Sequence, residues 1–158
     1  MQDGSQIEHE WLRQLVGEWQ VKSDASAEPG SSEHTGSESV RSLGGMWIVC
    51  DGRGEMPDGT PAMTMMSLGY DPVKGRYVGT FVGSMMSHLW IYEGELDATG
   101  KTLVLDTEGP GFVDSSRMAK YQDRIEFVSA DHRLLTSAYL DDGGVWQEFM
   151  RAHYRRAS

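Results

Sequence analysis

The spacing of its turns is the feature that most constrains how this chain can fold. Clusters of Asp, Gly and Pro separate short apolar segments, and these residues supply the positive or preset φ angles that turns require. A strand–turn–strand spacing of about 8–12 residues is typical of a β-sandwich or a β-barrel. The intervals leave no room for helical crossovers, so the strands are predicted to be antiparallel and to meander. The predicted turns are 44–45, 57–59, 71–75, 97–100 and 141–144.

Ten strands are predicted between these turns. Their ranges are 17–24, 35–43, 46–54, 63–70, 76–83, 87–95, 102–108, 116–127, 133–140 and 145–154. Several carry apolar or aromatic groups on both faces, whereas a sheet solvated on one side alternates more cleanly. Either the outer faces meet another subunit, or the inner faces surround a mixed environment such as a ligand cavity.

A short helix is predicted before the first strand, at about residues 5–16. Ser5 and Glu8 have the spacing of a capping box. Apolar residues then follow at helical spacing, and Gly17 ends the segment. The apolar stripe consists of Ile7, Trp11, Leu12 and Leu15. A helix this short is marginal in isolation, so its stripe is expected to dock on the larger body of the protein.

These elements predict an all-β fold in a single domain over residues 1–158. The expected architecture is a roughly ten-stranded antiparallel up-and-down barrel over about 17–156, with the short helix at its N-terminus. Closure removes the unpaired strand edges that promote aggregation. The 19 glycines among 158 residues suit strands that bend tightly. Barrels of more than eight strands have wider interiors, so a cavity plugged at one end by the helix is predicted.

Charge and hydropathy restrict the partners of such a barrel. Twenty-four acidic residues oppose 14 basic ones, for a formal charge of −10, and this surface repels nucleic acids and anionic lipid heads. No apolar segment approaches the ~20 residues that span a bilayer, so membrane insertion is not expected. The first residues carry no signal-peptide pattern, and a cytoplasmic location is predicted. Cys50, the one cysteine, is predicted to be a small buried apolar residue.

Three stretches in order resemble a bacterial family catalogued as domain of unknown function 1579. They are HEWLRQLVGEW (9–19), SLGGMWI (42–48) and LGYDPVKGRYVGTF (68–81), and the ending Tyr154–Arg156 is similar as well. The resemblance covers about residues 9–156. That family has no established activity, so the resemblance implies a fold and a site region and does not imply a reaction.

The segment Gly17–Trp19 is also similar to the Gly-x-Trp opening of lipocalins, fatty-acid-binding proteins and nitrobindin-like haem barrels. These families, grouped as calycins, are antiparallel barrels that often enclose small apolar ligands. The resemblance implies a calycin-like barrel in which Trp19 closes the base. It also implies that the interior is the place to look for a binding site.

The predicted function is therefore the binding of a small, mostly apolar or amphipathic molecule inside the barrel. Aromatic rings would supply affinity, and one or two polar groups would orient the ligand. Arg151 would grip a ligand carboxylate if its strand face points inward, and the sequence leaves that orientation open. The predicted lining residues are Trp19, Trp47, Tyr70, Phe81, His88, Trp90 and Arg151.

The methionines allow two interpretations. Met is flexible and polarizable, so clustered methionines either line a cavity that accommodates varied apolar ligands or fill gaps in an irregular core. The residues concerned are Met63, Met65, Met66, Met85 and Met86. The sequence does not identify a cofactor.

The histidines show no local metal-binding pattern, because no pair is spaced for a helix face or as His-x-His. No metal ligand is predicted from the residues themselves. The resemblance to nitrobindin-like barrels, which use a late-strand histidine on haem, implies an alternative function. In that alternative the barrel binds haem, with His153 or His88 as the axial ligand.

No set of catalytic residues is predicted. Gly83–Met85 lacks the Gly-x-Ser-x-Gly elbow of serine hydrolases, and Gly52–Gly54 lacks the lysine of a phosphate loop. An enzyme is therefore disfavoured. A further alternative is a filled structural barrel that acts as an oligomerisation or interaction module, with a homo-oligomer as its product. Arg155 and Arg156 are predicted to be terminal surface charges.

Overall fold

The structure of the chain, a computed structural model, describes residues 7–23, 34–56, 58–111 and 114–157. Within these residues the chain forms one helix and ten strands. Their bounds are α1 Ile7–Arg13, β1 Gly17–Ser23, β2 His34–Leu43, β3 Trp47–Glu55, β4 Pro61–Asp71, β5 Arg76–Gly83, β6 Trp90–Leu96, β7 Thr102–Pro110, β8 Met118–Ser129, β9 His132–Leu140 and β10 Trp146–Arg156. Ser5 of the predicted capping box and Pro57 of a predicted turn lie outside the described residues.

The strands form one closed antiparallel barrel. Each strand pairs with its neighbours in the chain, and β1 pairs with β10 to close the ring, with Trp19 opposite Arg156. This confirms the predicted ten-stranded up-and-down barrel with a short N-terminal helix. Closure depends on close backbone contact at some positions. A Cβ atom at Gly94 of β6 would lie 1.9 Å from the Val104 carbonyl oxygen of β7, so only glycine fits there.

The helix packs at one end of the barrel, which we call the helix end. Here the turns β2–β3, β4–β5, β6–β7 and β8–β9 meet. The Trp11 indole donates a hydrogen bond to the Gly100 carbonyl at 2.8 Å, and the Tyr77 hydroxyl donates to the Glu8 carbonyl at 3.1 Å. Leu12 is fully buried beneath them. The opposite rim, where β3, β5, β7 and β9 end, is called the open end.

Trp19 is the centre of packing at the helix end, where it is 1% exposed. Its indole donates to the Leu15 carbonyl at 2.8 Å. The Arg156 guanidinium stacks 4.2 Å from the Trp19 ring centroid and donates to the Val16 and Gln14 carbonyls at 2.8 and 2.9 Å. The prediction that Arg156 is a terminal surface charge is therefore wrong. Arg156 faces the helix end, and its hydrogen bonds connect the end of β10 to the segment that follows α1.

Among the described residues, no helix has the length and apolar character needed to cross a membrane. Cys50 is buried on the inner face of β3, as predicted, and its burial raises the pKa of the thiol.

Candidate functional site

The open-end half of the barrel contains a cavity of about 520 Å³ that is partly open to solvent. Strands β4 to β10 and the segment before β6 supply its wall, which is mostly aromatic, aliphatic or thioether in character. The lining residues are Met66, Phe81, Met85, Met86, Trp90, Tyr92, Thr107, Tyr121, Asp123, Leu135, Ser137, Phe149 and Met150. A volume in this range is typical of sites for small organic molecules.

The aromatic part of the wall is a chain of edge-to-face contacts. The Trp90 ring meets the His88 ring at 4.6 Å and the Tyr121 ring at 5.0 Å, and Tyr121 meets Phe149 at 6.0 Å. The Trp90 indole also donates to the Met86 sulfur at 2.9 Å. Edge-to-face pairing holds each ring in a defined orientation. These contacts define the relative orientation of the rings in the wall.

Beside Trp90, the barrel wall opens between β6 and β7. Their pairing ends at Glu93 opposite Asp106, although both strands continue toward the open end. Side chains bridge this gap. The Trp90 ring covers Gly109, where a Cβ atom would lie 2.1 Å from it, and the His88 ring nitrogen Nε2 lies 3.0 Å from the Glu108 carbonyl oxygen.

An outer groove of about 760 Å³ runs along the outside of this gap. It is bordered by exposed apolar residues, of which Ile91 is 62% and Met118 is 63% exposed. Thr107 and Tyr121 line both this outer groove and the interior cavity. The two spaces therefore meet at the β6–β7 gap.

Asp123 supplies the one carboxylate among the described residues that line the cavity. It accepts a hydrogen bond from the Tyr92 hydroxyl at 2.5 Å and another from the Ser137 hydroxyl. Burial raises the pKa of Asp123, and the two hydroxyl donors oppose that rise. Burial also raises the pKa of the Tyr92 phenol, and the Asp123 charge adds to the rise. Thr107 stands in the same wall, and its hydroxyl oxygen has no hydrogen-bond partner among the described residues.

A buried ion pair lies farther inside the barrel. Arg133 of β9 donates from Nη2 to the Glu38 carboxylate of β2 at 2.5 Å, and its side chain is 3% exposed. The guanidinium is sandwiched between two aromatic rings, 4.5 Å from the Trp19 centroid and 4.0 Å from the Tyr154 centroid. Burial is the main reason why the pKa of Tyr154 is raised. The Glu38 carboxylate thus balances the positive charge of the buried Arg133.

The structure brings together only part of the predicted lining set. Phe81 and Trp90 lie on the cavity wall. His88 lies at the gap and lines the outer groove. Trp19 and Tyr70 belong to the helix end, where the Tyr70 ring packs 5.1 Å from that of Tyr77. These two residues pack against the helix side of the core and do not line the cavity.

Trp47 and Arg151 lie on the outer face of the barrel, which corrects their predicted place inside it. Trp47 is 43% exposed, and its ring covers Gly69 of the neighbouring strand. Arg151 forms a 3.0 Å ion pair with Glu148. A β-bulge between Glu148 and Met150 shifts the alternation of β10. Arg151 consequently faces outward and cannot hold a ligand carboxylate.

The methionines divide between the two faces. Met66, Met85 and Met86 line the cavity, although Met85 and Met86 are also 41% and 43% exposed. Met63 and Met65 are exposed on the outside of β4. Thioethers of the first group add adaptable apolar surface to the aromatic wall.

The sequence analysis missed apolar as well as polar residues of the interior. The cavity residues absent from its predicted lining and from its methionine set are Tyr92, Thr107, Tyr121, Asp123, Leu135, Ser137, Phe149 and Met150. It also missed the buried ion pair of Glu38 with Arg133. A signal for Asp123 does exist, because it alternates with Tyr121, Ile125 and Phe127, which share the inner face of β8. The ion-pair partners Glu38 and Arg133 are far apart in the chain and carry no local signal of their pairing.

The described wall does not fit haem. His153 lies on the outside of β10, where its Nδ1 is 3.1 Å from His132 Nε2 and the two rings stack. His88 is engaged at the gap with Glu108. No histidine is among the described residues that line the cavity. The described residues also contain no group of three or more His, Cys, Asp and Glu side chains arranged to hold a metal ion.

Replacing Asp123 with asparagine is expected to stabilise the ligand-free protein at neutral pH. The folded state raises the pKa of Asp123, so the protonated carboxyl group stabilises the fold. This stabilisation is complete below the pKa of about 4 that aspartate has in the unfolded chain, and it is lost as the pH rises through the pKa of Asp123 in the folded protein. An asparagine side chain does not ionise, so it does not lose this stabilisation, and its amide oxygen can still accept the hydrogen bond from the Tyr92 hydroxyl. Urea unfolding at neutral pH and near pH 4 measures the difference, which should shrink at the lower pH.

The matched control is Asp142→Asn, which removes a carboxylate from an exposed turn. Its effect on unfolding should stay within about 0.5 kcal/mol at both pH values. A wild-type protein more stable than Asp123→Asn at neutral pH would show that the cavity does not penalise the charge.

Comparison with known proteins gives a family and a fold. The family model described as "Protein of unknown function (DUF1579)" matches residues 5–156. No match was found among curated protein sequences.

Solved structures similar to this chain include Rv2717c from M. tuberculosis, at 16% sequence identity and a TM-score of 0.66, over 98% of this chain and 99% of that one. The S-type phycobiliprotein lyase CPES from Guillardia theta is similar at 16% identity and a TM-score of 0.58, over 99% and 95%. EF1p2_mFAP2b bound to DFHBI is similar at 14% identity and a TM-score of 0.50, over 94% and 98%. At these identities the likeness shows the shared barrel fold.

Proposed function

This chain belongs to the DUF1579 family of proteins of unknown function, and we propose that it binds a small, mostly apolar molecule in the cavity at the open end of its barrel. The observation that carries the proposal is the cavity itself. A barrel interior filled by side chains would support a structural role, whereas about 520 Å³ of apolar space supports ligand binding.

The composition of the wall explains how affinity would arise. Phe81, Trp90, Tyr121 and Phe149 present aromatic surface, and burying apolar surface contributes about 25 cal/mol per Å². The rings are held by their edge-to-face contacts, so little side-chain freedom is lost on binding. The names of two similar structures, a phycobiliprotein lyase and a protein bound to DFHBI, are compatible with a barrel that handles small molecules.

Phe81→Ala and Trp90→Ala are each expected to weaken ligand binding by roughly tenfold, because each removes one ring from the cavity wall. The probe is 1-naphthylmethanol, a neutral aromatic alcohol, and the measurement is isothermal titration calorimetry with the full chain. Circular dichroism checks that the variants retain the barrel.

The matched control for this titration is Trp146→Ala. Trp146 is an exposed aromatic residue that borders the outer groove and not the cavity. Its replacement should leave the affinity unchanged. Full-strength binding by folded Phe81→Ala and Trp90→Ala would exclude this wall, and weaker binding by Trp146→Ala would place the probe in the outer groove.

A further inference from the structure

Asp123 is a half-buried carboxylate that lines an apolar cavity and has no cationic partner among the described residues. Burial raises the pKa of Asp123, and hydrogen bonds from the Tyr92 and Ser137 hydroxyls lower it. A carboxylate has about four acceptor positions. The two hydroxyl donors therefore leave acceptor positions of the Asp123 carboxylate unused.

Arg133, a buried cation in the barrel interior, already has an anionic partner in Glu38. Its guanidinium is bound to Glu38 and stacked between the Trp19 and Tyr154 rings. Arg133 is not among the residues that line the cavity. Arg151, the other arginine considered for a ligand carboxylate, lies outside with Glu148. Among the described residues, the cavity therefore has no cationic partner for an anionic ligand, and the Asp123 carboxylate would repel such a ligand.

Two further features favour a cationic nitrogen. The Thr107 hydroxyl in the same wall lacks a partner among the described residues and can accept an N–H donor. Trp90, Tyr121 and Phe149 line the same space, and aromatic rings attract cations to their faces. The formal charge of −10 also raises the local concentration of cations around the protein.

We propose that the ligand of this barrel is an apolar molecule with a protonated amine, and that Asp123 accepts its N–H groups inside the cavity. This inference rests on the proposed function, because it requires that the cavity holds a ligand. Asp123 supplies the charge partner, Thr107 a further acceptor, and the aromatic wall contacts the apolar body. The same arrangement of charges disfavours a ligand carboxylate of the kind that Arg151 was predicted to hold.

Three probes with one ring system test this proposal at neutral pH by isothermal titration calorimetry. They are 1-naphthylmethylamine, a cation; 1-naphthylmethanol, neutral; and 1-naphthoate, an anion. Charge-assisted hydrogen bonds are about twice as strong as neutral ones, so the wild-type protein should bind the amine roughly tenfold more tightly than the alcohol. The anion should bind most weakly.

Asp123→Asn should retain binding of the alcohol and bring the amine to within about threefold of it. The control Asp142→Asn removes the same charge from an exposed turn and should keep the full preference for the amine. A preference lost equally in both variants would mean that overall charge, and not Asp123, selects the ligand, and would overturn the proposal.

A wild-type protein that binds the alcohol or the anion at least as tightly as the amine would overturn the assignment of Asp123 while leaving ligand binding intact. Binding of none of the three probes would contradict the proposed function itself. Should Asp123→Asn fail to fold, Thr107→Val provides the second variant. It is expected to lower the ratio of amine to alcohol affinity about threefold, and an unchanged ratio would count against the proposal.

Discussion

Replacing Glu38 with leucine is expected to lower the free energy of unfolding by about 3–5 kcal/mol. The change leaves Arg133 as an uncompensated charge in a site where its side chain is 3% exposed. The reverse variant, Arg133→Met, leaves Glu38 unpaired and removes the guanidinium that packs between Trp19 and Tyr154. It is expected to cost a similar amount.

The double variant Glu38→Leu with Arg133→Met separates pairing from packing. Replacing both partners of a buried ion pair by apolar residues of similar size is often close to neutral. The double variant should therefore be more stable than either single variant, and urea unfolding of all four proteins gives the coupling energy. Additive losses, or single variants within about 1 kcal/mol of wild type, would show that the pair is not a structural unit.

Trp19→Ala is expected to destabilise the protein by about 3–5 kcal/mol, the usual loss for a fully buried tryptophan. The ring supports the guanidinium groups of both Arg133 and Arg156, and its indole holds the Leu15 carbonyl. Its removal would loosen the attachment of α1 together with the closure of β1 on β10. Thermal and urea unfolding measure the loss.

Trp146→Ala is the comparison for this variant as well, since Trp146 is an exposed tryptophan near the open end. Its removal should change the free energy of unfolding by less than about 0.5 kcal/mol. If Trp19→Ala were equally mild, the helix end would not depend on the stacked tryptophan and arginines.

The fold was predictable because its determinants are local. Turn residues such as those at 71–75 and 97–100 specify strand reversals wherever they occur, and ten strands spaced by such turns have few arrangements other than a closed meander. The helix was predictable in part, because Leu12 and Leu15 of its apolar stripe are buried, but Ile7 is 75% exposed and the helix ends at Arg13 and not at about residue 16.

The inward faces of the strands were less predictable, because they depend on register. The bulge between Glu148 and Met150 inserts one residue into β10 and sends Arg151 to the surface. In β3, Trp47 and Ile48 are both large and apolar, and the sequence does not distinguish which of them faces inward. Ile48 does, and Trp47 covers Gly69 outside.

The interior polar groups could not be predicted, because their partners come from distant strands. Glu38 and Arg133 are 95 residues apart, and Tyr92 and Asp123 are 31 apart. In the sequence, each pair shows only as a charged residue among the alternating apolar residues of a strand's inner face. Barrel closure brings the partners together, so their assignment needs the three-dimensional structure.

The most direct test of the account is a crystal structure of the full chain with bound 1-naphthylmethanol. We predict one molecule per chain inside the barrel, with its ring system against Phe81 and Trp90 and its hydroxyl toward Asp123. A naphthyl ring seated only in the outer groove beside Ile91 and Met118, or a cavity that stays empty at saturating probe, would contradict the proposal that this barrel binds ligands in its interior.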